Sequence, residues 1–181
     1  KMIKSASGLY VSEEDKQGLG YALNDVHTCE HIIPFVNQKR TCIQAGGHVG
    51  VYPLFYAKHF KEVKTFEPND LSREALLKNV EAVQNIQVYN ELLYSISGLQ
   101  SFLKPVTSSN LGSSKLTTSG QPINTTTIDS FEFEDVDLIH FDIEGAEYHA
   151  LLGAKKTILK YKPIIVVEDL GHKVGKEGFQ D

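Results

Sequence analysis

Side chains able to do chemistry gather at four places in the 181-residue chain, each where an apolar run ends. They are Gln44 to Gly50, Glu67, Asp142 with Glu144, and Glu168. In the first, Gly46, Gly47 and Gly50 stand between an apolar stretch, 41–45, and a helical one, 51–60. Glycines there let the backbone approach a ligand, and the start of the following helix offers free N–H groups. Glu67 follows Gly50 by seventeen positions, at the end of the alternating run 63–67. A carboxylate so placed can accept from both hydroxyls of a ribose. Glycine turn and strand-end acid together point to a nucleoside cofactor. They do not choose between a nicotinamide dinucleotide and S-adenosylmethionine, because both fingerprints fit imperfectly. Ala45 stands at the first position of the dinucleotide Gly-x-Gly-x-x-Gly, and Gln44 at the acid of the methyltransferase acid-x-Gly-x-Gly-x-Gly.

Such residues need strands and helices to position them. The runs 41–45, 63–67 and 86–93 read as strands, and 51–60 and 71–84 as helices between them. Asp70 is the expected N-cap of the second helix, with Leu76, Leu77, Val80 and Val83 on one face. Further on, 137–142 and 163–168 are apolar runs ending at carboxylates, with a helix expected over 147–161. Strands alternating with helices in this way predict an α/β fold, a doubly wound, mostly parallel sheet with helices on both faces. In open sheets of this kind ligands bind outside the carboxyl ends of the strands, where strand order reverses. Before this core, 22–36 is loosely helical, with Gly18-Leu19-Gly20 interrupting any earlier helix and Pro34 kinking it. Ten of the fourteen residues from Thr107 to Gly120 are Ser, Thr or Gly, which predicts a mobile loop.

The length and composition fit one soluble domain, with 41% hydrophobic and 23% charged residues. That composition excludes wholesale disorder, collagen-like repeats and a disulfide scaffold. The net charge of −5 disfavours a duplex nucleic-acid binder. No stretch approaches the roughly 20 apolar residues of a membrane span, and 1–10 lacks the apolar core of a signal peptide. Cys29 and Cys42 fit a reducing compartment, so a cytoplasmic location is expected.

One family accounts for these motifs together. Asp137-Leu138-Ile139-His140-Phe141-Asp142-Ile143-Glu144-Gly145-Ala146-Glu147 resembles the strand-four motif of the FkbM-type methyltransferases, Asp-Leu-Ile-Lys-Ile-Asp-Val-Glu-Gly-Ala-Glu. Ala45 to Gly50 is similar to that family's Val-Gly-Ala-Asn-Ile-Gly, and Val63 to Asn69 to its Val-x-x-Phe-Glu-Pro-Asn. Asn110 to Ser114, Thr126 to Ser130, Leu152-Gly153-Ala154 and Lys162 to Glu168 match its remaining motifs in order. The resemblance spans about residues 40–170. It divides the single domain into an N-terminal extension 1–39, a cofactor-binding core 40–170 and a C-terminal segment 171–181.

The resemblance implies a Rossmann-like class I methyltransferase that uses S-adenosylmethionine and methylates an oxygen of a small or sugar-like acceptor. The cofactor set it implies is Gln44, Gly46, Gly47, His48, Gly50, Glu67, Asn69, Asn90, Glu91, Leu92 and Asp142. The glycines would flank the methionine part, Glu67 would hold the ribose, and Asn90, Glu91 and Leu92 would lie near the adenine. Asp142 would sit by the sulfonium and the acceptor. Three departures stand out: Gln44 where an acid is usual, His48 for Asn, and His140 for Lys.

A hydroxyl acceptor must lose its proton, and Asp142, Glu144 and Glu168 are the candidate catalytic residues. His140 reads better as a buried, hydrogen-bonded histidine, and Glu147 as a partner of its helix N-terminus. His27 and His31 stand four apart but lack a third ligand nearby, so no metal site is assigned. Lys155, Lys156, Lys160 and Lys162 read as a solvated helix face. With so much of the chain given to the core, the acceptor must be small, exposed, or held partly by a second subunit of a homodimer. A binding module without catalysis and a nicotinamide-dependent oxidoreductase are the alternatives.

Overall fold

The computed structural model describes residues 1–107 and 109–168, so the segment 171–181 lies outside the described residues. The chain opens with an antiparallel pair, β1 (Met2–Lys4) and β2 (Tyr10–Ser12). Helix α1 (Gly18–Glu30) follows, then a 3-10 turn at Ile33–Phe35 that holds Pro34. Next come β3 (Thr41–Ala45), α2 (Val51–Ala57), β4 (Glu62–Phe66), α3 (Asp70–Val80) and β5 (Ile86–Tyr89). A second group is all strand: β6 (Leu92–Leu93), β7 (Gln100–Thr107), β8 (Asn110–Thr117) and β9 (Gln121–Thr126). The chain then returns through β10 (Val136–Phe141), α4 (Glu147–Leu152), α5 (Lys155–Tyr161) and β11 (Ile164–Val167).

The central sheet runs β11-β10-β3-β4-β5 and every pair in it is parallel. Strand order reverses between β3 and β10, so this is a doubly wound Rossmann-like sheet with its switch point there. After a register shift between Val136 and Leu138 the two strands stay in register to their carboxyl ends, with His140 opposite Gln44 and Phe141 opposite Ala45. The Asp142 N–H then donates to Ala45 O at 3.0 Å. Gly46 lies against that junction. A Cβ on it would come within 1.9 Å of the Asp142 carbonyl oxygen, and its φ is +84°, so only glycine fits.

Strand alternation sends side chains to two cores. Cys42, Val63 and Leu138 pack with Tyr52, Tyr56 and Phe60 of the α2 region and with Cys29 of α1. Ile43, Phe66, Ile139 and Phe141 pack with Leu93, Ile123, Ala150 and Ala154 on the opposite face. Both cores hold fully buried aromatics, Tyr56 in one and Phe141 in the other. Truncating either to alanine would cost about 3–5 kcal/mol.

Several boundaries differ from the sequence expectation. Helix α1 begins at Gly18 instead of being broken there, because Asp15 Oδ1 accepts the Gly18 N–H at 3.1 Å and fixes the first turn. Asn69, not Asp70, caps α3: its Oδ1 accepts from Leu71 and Ser72 N–H at 3.0 Å. That helix ends at Val80, leaving Val83 outside it and Leu77 on the exposed side, with Ala75 joining Leu76 in the buried stripe. The run 86–93 divides, because Leu92 and Leu93 leave β5's sheet to pair with β9. The expected helix 147–161 is two helices. They part at Gly153, where a Cβ would meet Tyr94 O at 2.0 Å.

The largest correction concerns 107–120. It is no mobile loop: most of it forms the β7–β8 hairpin, with Leu103 opposite Leu116 and Pro105 opposite Ser114. Leu103 and Leu111 are buried in the molecule. The short polar side chains close local bonds, Ser113 Oγ to Asn110 O at 2.9 Å and Ser114 Oγ to Leu111 O at 2.6 Å. No helix among the described residues is long and apolar enough to cross a membrane.

Candidate active site at the switch point

A cavity of about 250 Å³ opens at the carboxyl ends of β3 and β10. Gly46 and His48 line it from the glycine turn, Glu67 from the end of β4, Asp142 and Glu144 from beyond β10, and Glu168 from beyond β11. Helix α1 supplies Gly18, Tyr21, Ala22 and Asp25, α2 supplies Tyr52, and β8 supplies Asn110 and Gly112. Four separated strand ends therefore meet in one place, as the sequence predicts.

Glu67 is buried and, among the described residues, its carboxylate is held by backbone N–H groups. Its Oε2 accepts the His48 N–H at 2.7 Å and its Oε1 accepts the Asn69 N–H at 2.8 Å. Burial pushes its carboxyl up, and the two amides with the His48 and Arg73 charges offset only part of that. A carboxylate has about four lone-pair sites, so two remain for a ligand's hydroxyls.

Across the cavity, Asp142, Glu144 and Glu168 each bring one carboxylate oxygen within 4.8 Å of the other two. Burial, then the neighbouring Glu168 charge and hydrogen bond, then Glu144 and Glu147, push Asp142 up to about 8. At that value the carboxyl is mostly protonated at pH 7, and its ionised form is the one able to take a proton as a general base. The loop bearing Asp142 and Glu144 is fixed by Glu147, whose Oε1 accepts the Ile143 N–H at 3.1 Å.

The family model described as Methyltransferase FkbM domain matches residues 44–180. The chain belongs to the FkbM methyltransferase family. No curated protein matches it. Among solved structures, the chain is similar to methyltransferase FkbM from Methylobacillus flagellatus KT at 19% identity, over 87% of this chain and 44% of that one, with a TM-score of 0.48. It therefore spans less than half of that protein's length. An rRNA methylase from Streptococcus thermophilus is 12% identical over 86% of this chain and 80% of its own, with a TM-score of 0.49. Precorrin-6y C5,15-methyltransferase from Geobacter metallireducens GS-15 is 7% identical over 97% and 74%, also with a TM-score of 0.49.

Within this FkbM domain, some expected cofactor residues stand elsewhere. Gln44 is fully buried and does not line the cavity. Its Nε2 donates to Ala45 O and Gly46 O, both at 3.0 Å, and its Oε1 accepts from Thr65 Oγ1 at 2.6 Å. It braces the glycine turn from behind, a task for an amide because a carboxylate cannot donate. Gly47 and Gly50 pack against Leu76 instead of facing the cavity. Asn69 spends its side chain on the α3 cap. Asn90 is exposed and Glu91 accepts the Asn90 N–H at 3.1 Å, and neither reaches the cavity. Leu92 lines two adjoining cavities, one of about 30 Å³ beside Glu67 and Pro68 and one of about 270 Å³ beside Tyr94 and His149.

His48 does line the site, and its partner is new. Its Nε2 lies 2.6 Å from Asp15 Oδ2. Burial pushes the Asp15 carboxyl up, but His48 and the Leu111 and Gly18 amides overcome this and leave it below its ordinary value. His140 is the buried, hydrogen-bonded histidine expected: its Nδ1 meets Tyr56 OH at 2.9 Å, and burial pulls it down to about 4, so it is neutral. His27 is exposed and pairs with Glu30 at 3.5 Å. Lys155, Lys156, Lys160 and Lys162 are solvated. Tyr21, Asp25 and Tyr52 line the cavity although no motif announces them, Asn110 lines it from the motif Asn110 to Ser114, and Asp15 reaches it only through His48. Among the first three, Tyr52 alone had a signal, its place in the first turn after the glycines.

Proposed function

We propose that this domain binds S-adenosylmethionine at the switch point and methylates an oxygen of a small or sugar-like acceptor. The observation that supports it most is Glu67, a buried acid at the end of β4 whose backbone bonds leave lone pairs facing the cavity. Gly46 leaves the space a cofactor backbone would need, since any Cβ there would fill the turn. When bound, the cofactor supplies a methyl group on a positively charged sulfur. Glu67 accepts from the ribose hydroxyls, and Gly46 lets the methionine part approach. Asp142 takes the acceptor's hydroxyl proton, with Glu144 and Glu168 keeping its proton affinity high. Tyr21, Asp25 and Tyr52 close the cavity on the acceptor side and hold the acceptor in line. Five acids, Asp25, Glu67, Asp142, Glu144 and Glu168, line the cavity, which suits a cationic donor and repels a phosphate-rich acceptor such as RNA.

Thermal shift with S-adenosylhomocysteine against NAD tests the cofactor, followed by release of labelled methyl product over a panel of hydroxylated acceptors. Stabilisation by S-adenosylhomocysteine alone is expected. Stabilisation by NAD alone would overturn the proposal in favour of hydride transfer.

A further inference from the structure

His48 is held at both of its ends. Its N–H donates to Glu67 Oε2 at 2.7 Å, and its ring Nε2 lies 2.6 Å from Asp15 Oδ2. Between those two bonds its backbone is left-handed, with φ +46°. Gly46 and Gly50 of the same turn also have positive φ, but they carry no Cβ and need no support. A residue with a Cβ keeps that conformation only where its surroundings hold it. His48 is therefore the one residue of the turn 46–50 whose backbone needs an outside tether.

Asp15 supplies that tether from a fixed place. Its side chain is 1% exposed. Its Oδ1 accepts from Gly18 N–H at 3.1 Å, in the first turn of α1, and from Leu111 N–H at 3.0 Å, on β8. That leaves Oδ2 for the imidazole. Gly18 packs so closely that a Cβ on it would come within 2.5 Å of Asp15 Oδ1. The His48 ring is thus anchored to α1 and β8 together. The second bond to Glu67 has a different origin: it comes from Asn69 N–H, at the cap of α3.

We infer that Asp15 is a positioning residue for Glu67. By fixing the His48 ring it keeps the turn left-handed, and the turn keeps the His48 N–H on the Glu67 carboxylate. Glu67 then stands ready at the cavity before any ligand arrives, so binding does not have to order it. This role rests on the proposal that Glu67 holds the cofactor ribose. It adds that cofactor affinity is coupled, through Asp15, to the seating of α1 and of the β7–β8 hairpin.

Isothermal titration of S-adenosylhomocysteine into single and paired variants tests this. Asp15→Ala should weaken binding by about tenfold in the otherwise wild-type chain, and by less than about twofold in a His48→Gly background, where the turn needs no tether. His48→Gly should bind more tightly than His48→Ala, although it removes more atoms. That second pair leaves both amide bonds of Asp15 in place, so it decides the matter should Asp15→Ala not fold. A residue that only braces α1 and the hairpin would act alike in both backgrounds. Equal weakening by Asp15→Ala in the two backgrounds, or His48→Ala binding as well as His48→Gly, would overturn the inference. Hydrogen exchange in the ligand-free chain separates it from the cofactor reading. In Asp15→Ala and in His48→Ala the amide of residue 48 should exchange about tenfold faster, while the Asn69 amide, which donates to the same carboxylate, changes by less than about twofold. Equal acceleration at both amides, or none at either, would refute the positioning role. If wild type binds no S-adenosylhomocysteine, the cofactor reading falls and the exchange pattern alone decides whether Asp15 positions Glu67.

Discussion

Glu67 and Gln44 sit at neighbouring strand ends and do opposite jobs. Glu67 faces the cavity with its position set by two backbone amides. Glu67→Gln keeps its shape but removes the charge and one acceptor, a loss of about 1.5–3 kcal/mol for a charge-assisted hydrogen bond. S-adenosylhomocysteine affinity should fall by roughly 10- to 100-fold, as calorimetry would show. Gln44 faces away, toward Thr65. Gln44→Glu replaces two donated hydrogen bonds with a buried charge, so the ligand-free chain should lose about 1–3 kcal/mol or more in denaturant unfolding. For Asp142→Asn, methyl transfer should drop on the order of 10²-fold or more, and near-normal turnover would remove Asp142 from the mechanism. Glu67 and Asp142 were legible because acids at the ends of apolar runs are conspicuous. Gln44 misled because a strand position identifies the end of the strand but not what lies behind it. Asp25 reaches the cavity, and Asp15 its His48, only through tertiary packing, which leaves no local pattern to read.

The elements that close the cavity are the ones sequence pattern described least well. Helix α1 and hairpin β7–β8 meet at Asp15, which accepts from Gly18 N–H at 3.1 Å, from Leu111 N–H at 3.0 Å and bonds His48. The hairpin looked like a loop because its Ser and Thr content masks Leu103, Leu111 and Leu116, whose two-residue alternation is interrupted between strands. The α1 glycines looked like a break because their stabilising partner, Asp15, is a side chain outside the helix. Leu111→Ala should cost about 2–5 kcal/mol and loosen the hairpin from the glycine turn, with faster hydrogen exchange at the Gly18 and His48 amides. Asp15 also sets an acid limit. Its folded carboxyl lies below the ordinary 3.8, so its contribution is complete above that value and is lost as pH falls through the lower folded one. Asp15→Asn should therefore be less stable than wild type at neutral pH, and urea unfolding should show that gap closing as pH drops below about 4. A gap that stays constant with pH would mean the Asp15 charge contributes nothing.

Taken whole, the molecule is a doubly wound sheet with its acids drawn to one end. The alternation of strand and helix and the parallel central sheet followed from hydrophobic pattern, whereas the strand order and the second sheet, β6-β9-β7-β8, did not. The net charge of −5 gains a location, because five of the acids line the switch-point cavity. The chain spans 44% of the Methylobacillus FkbM protein. The claim that everything else depends on is that the switch point is a cofactor site built on Glu67. Isothermal titration of S-adenosylhomocysteine into wild type and Glu67→Gln, with NAD as the comparison ligand, tests it most directly. One molecule of S-adenosylhomocysteine should bind per chain, with clear weakening in Glu67→Gln and no heat from NAD. A folded wild-type chain that ignores S-adenosylhomocysteine, or binds it equally well without the Glu67 carboxylate, would contradict the account.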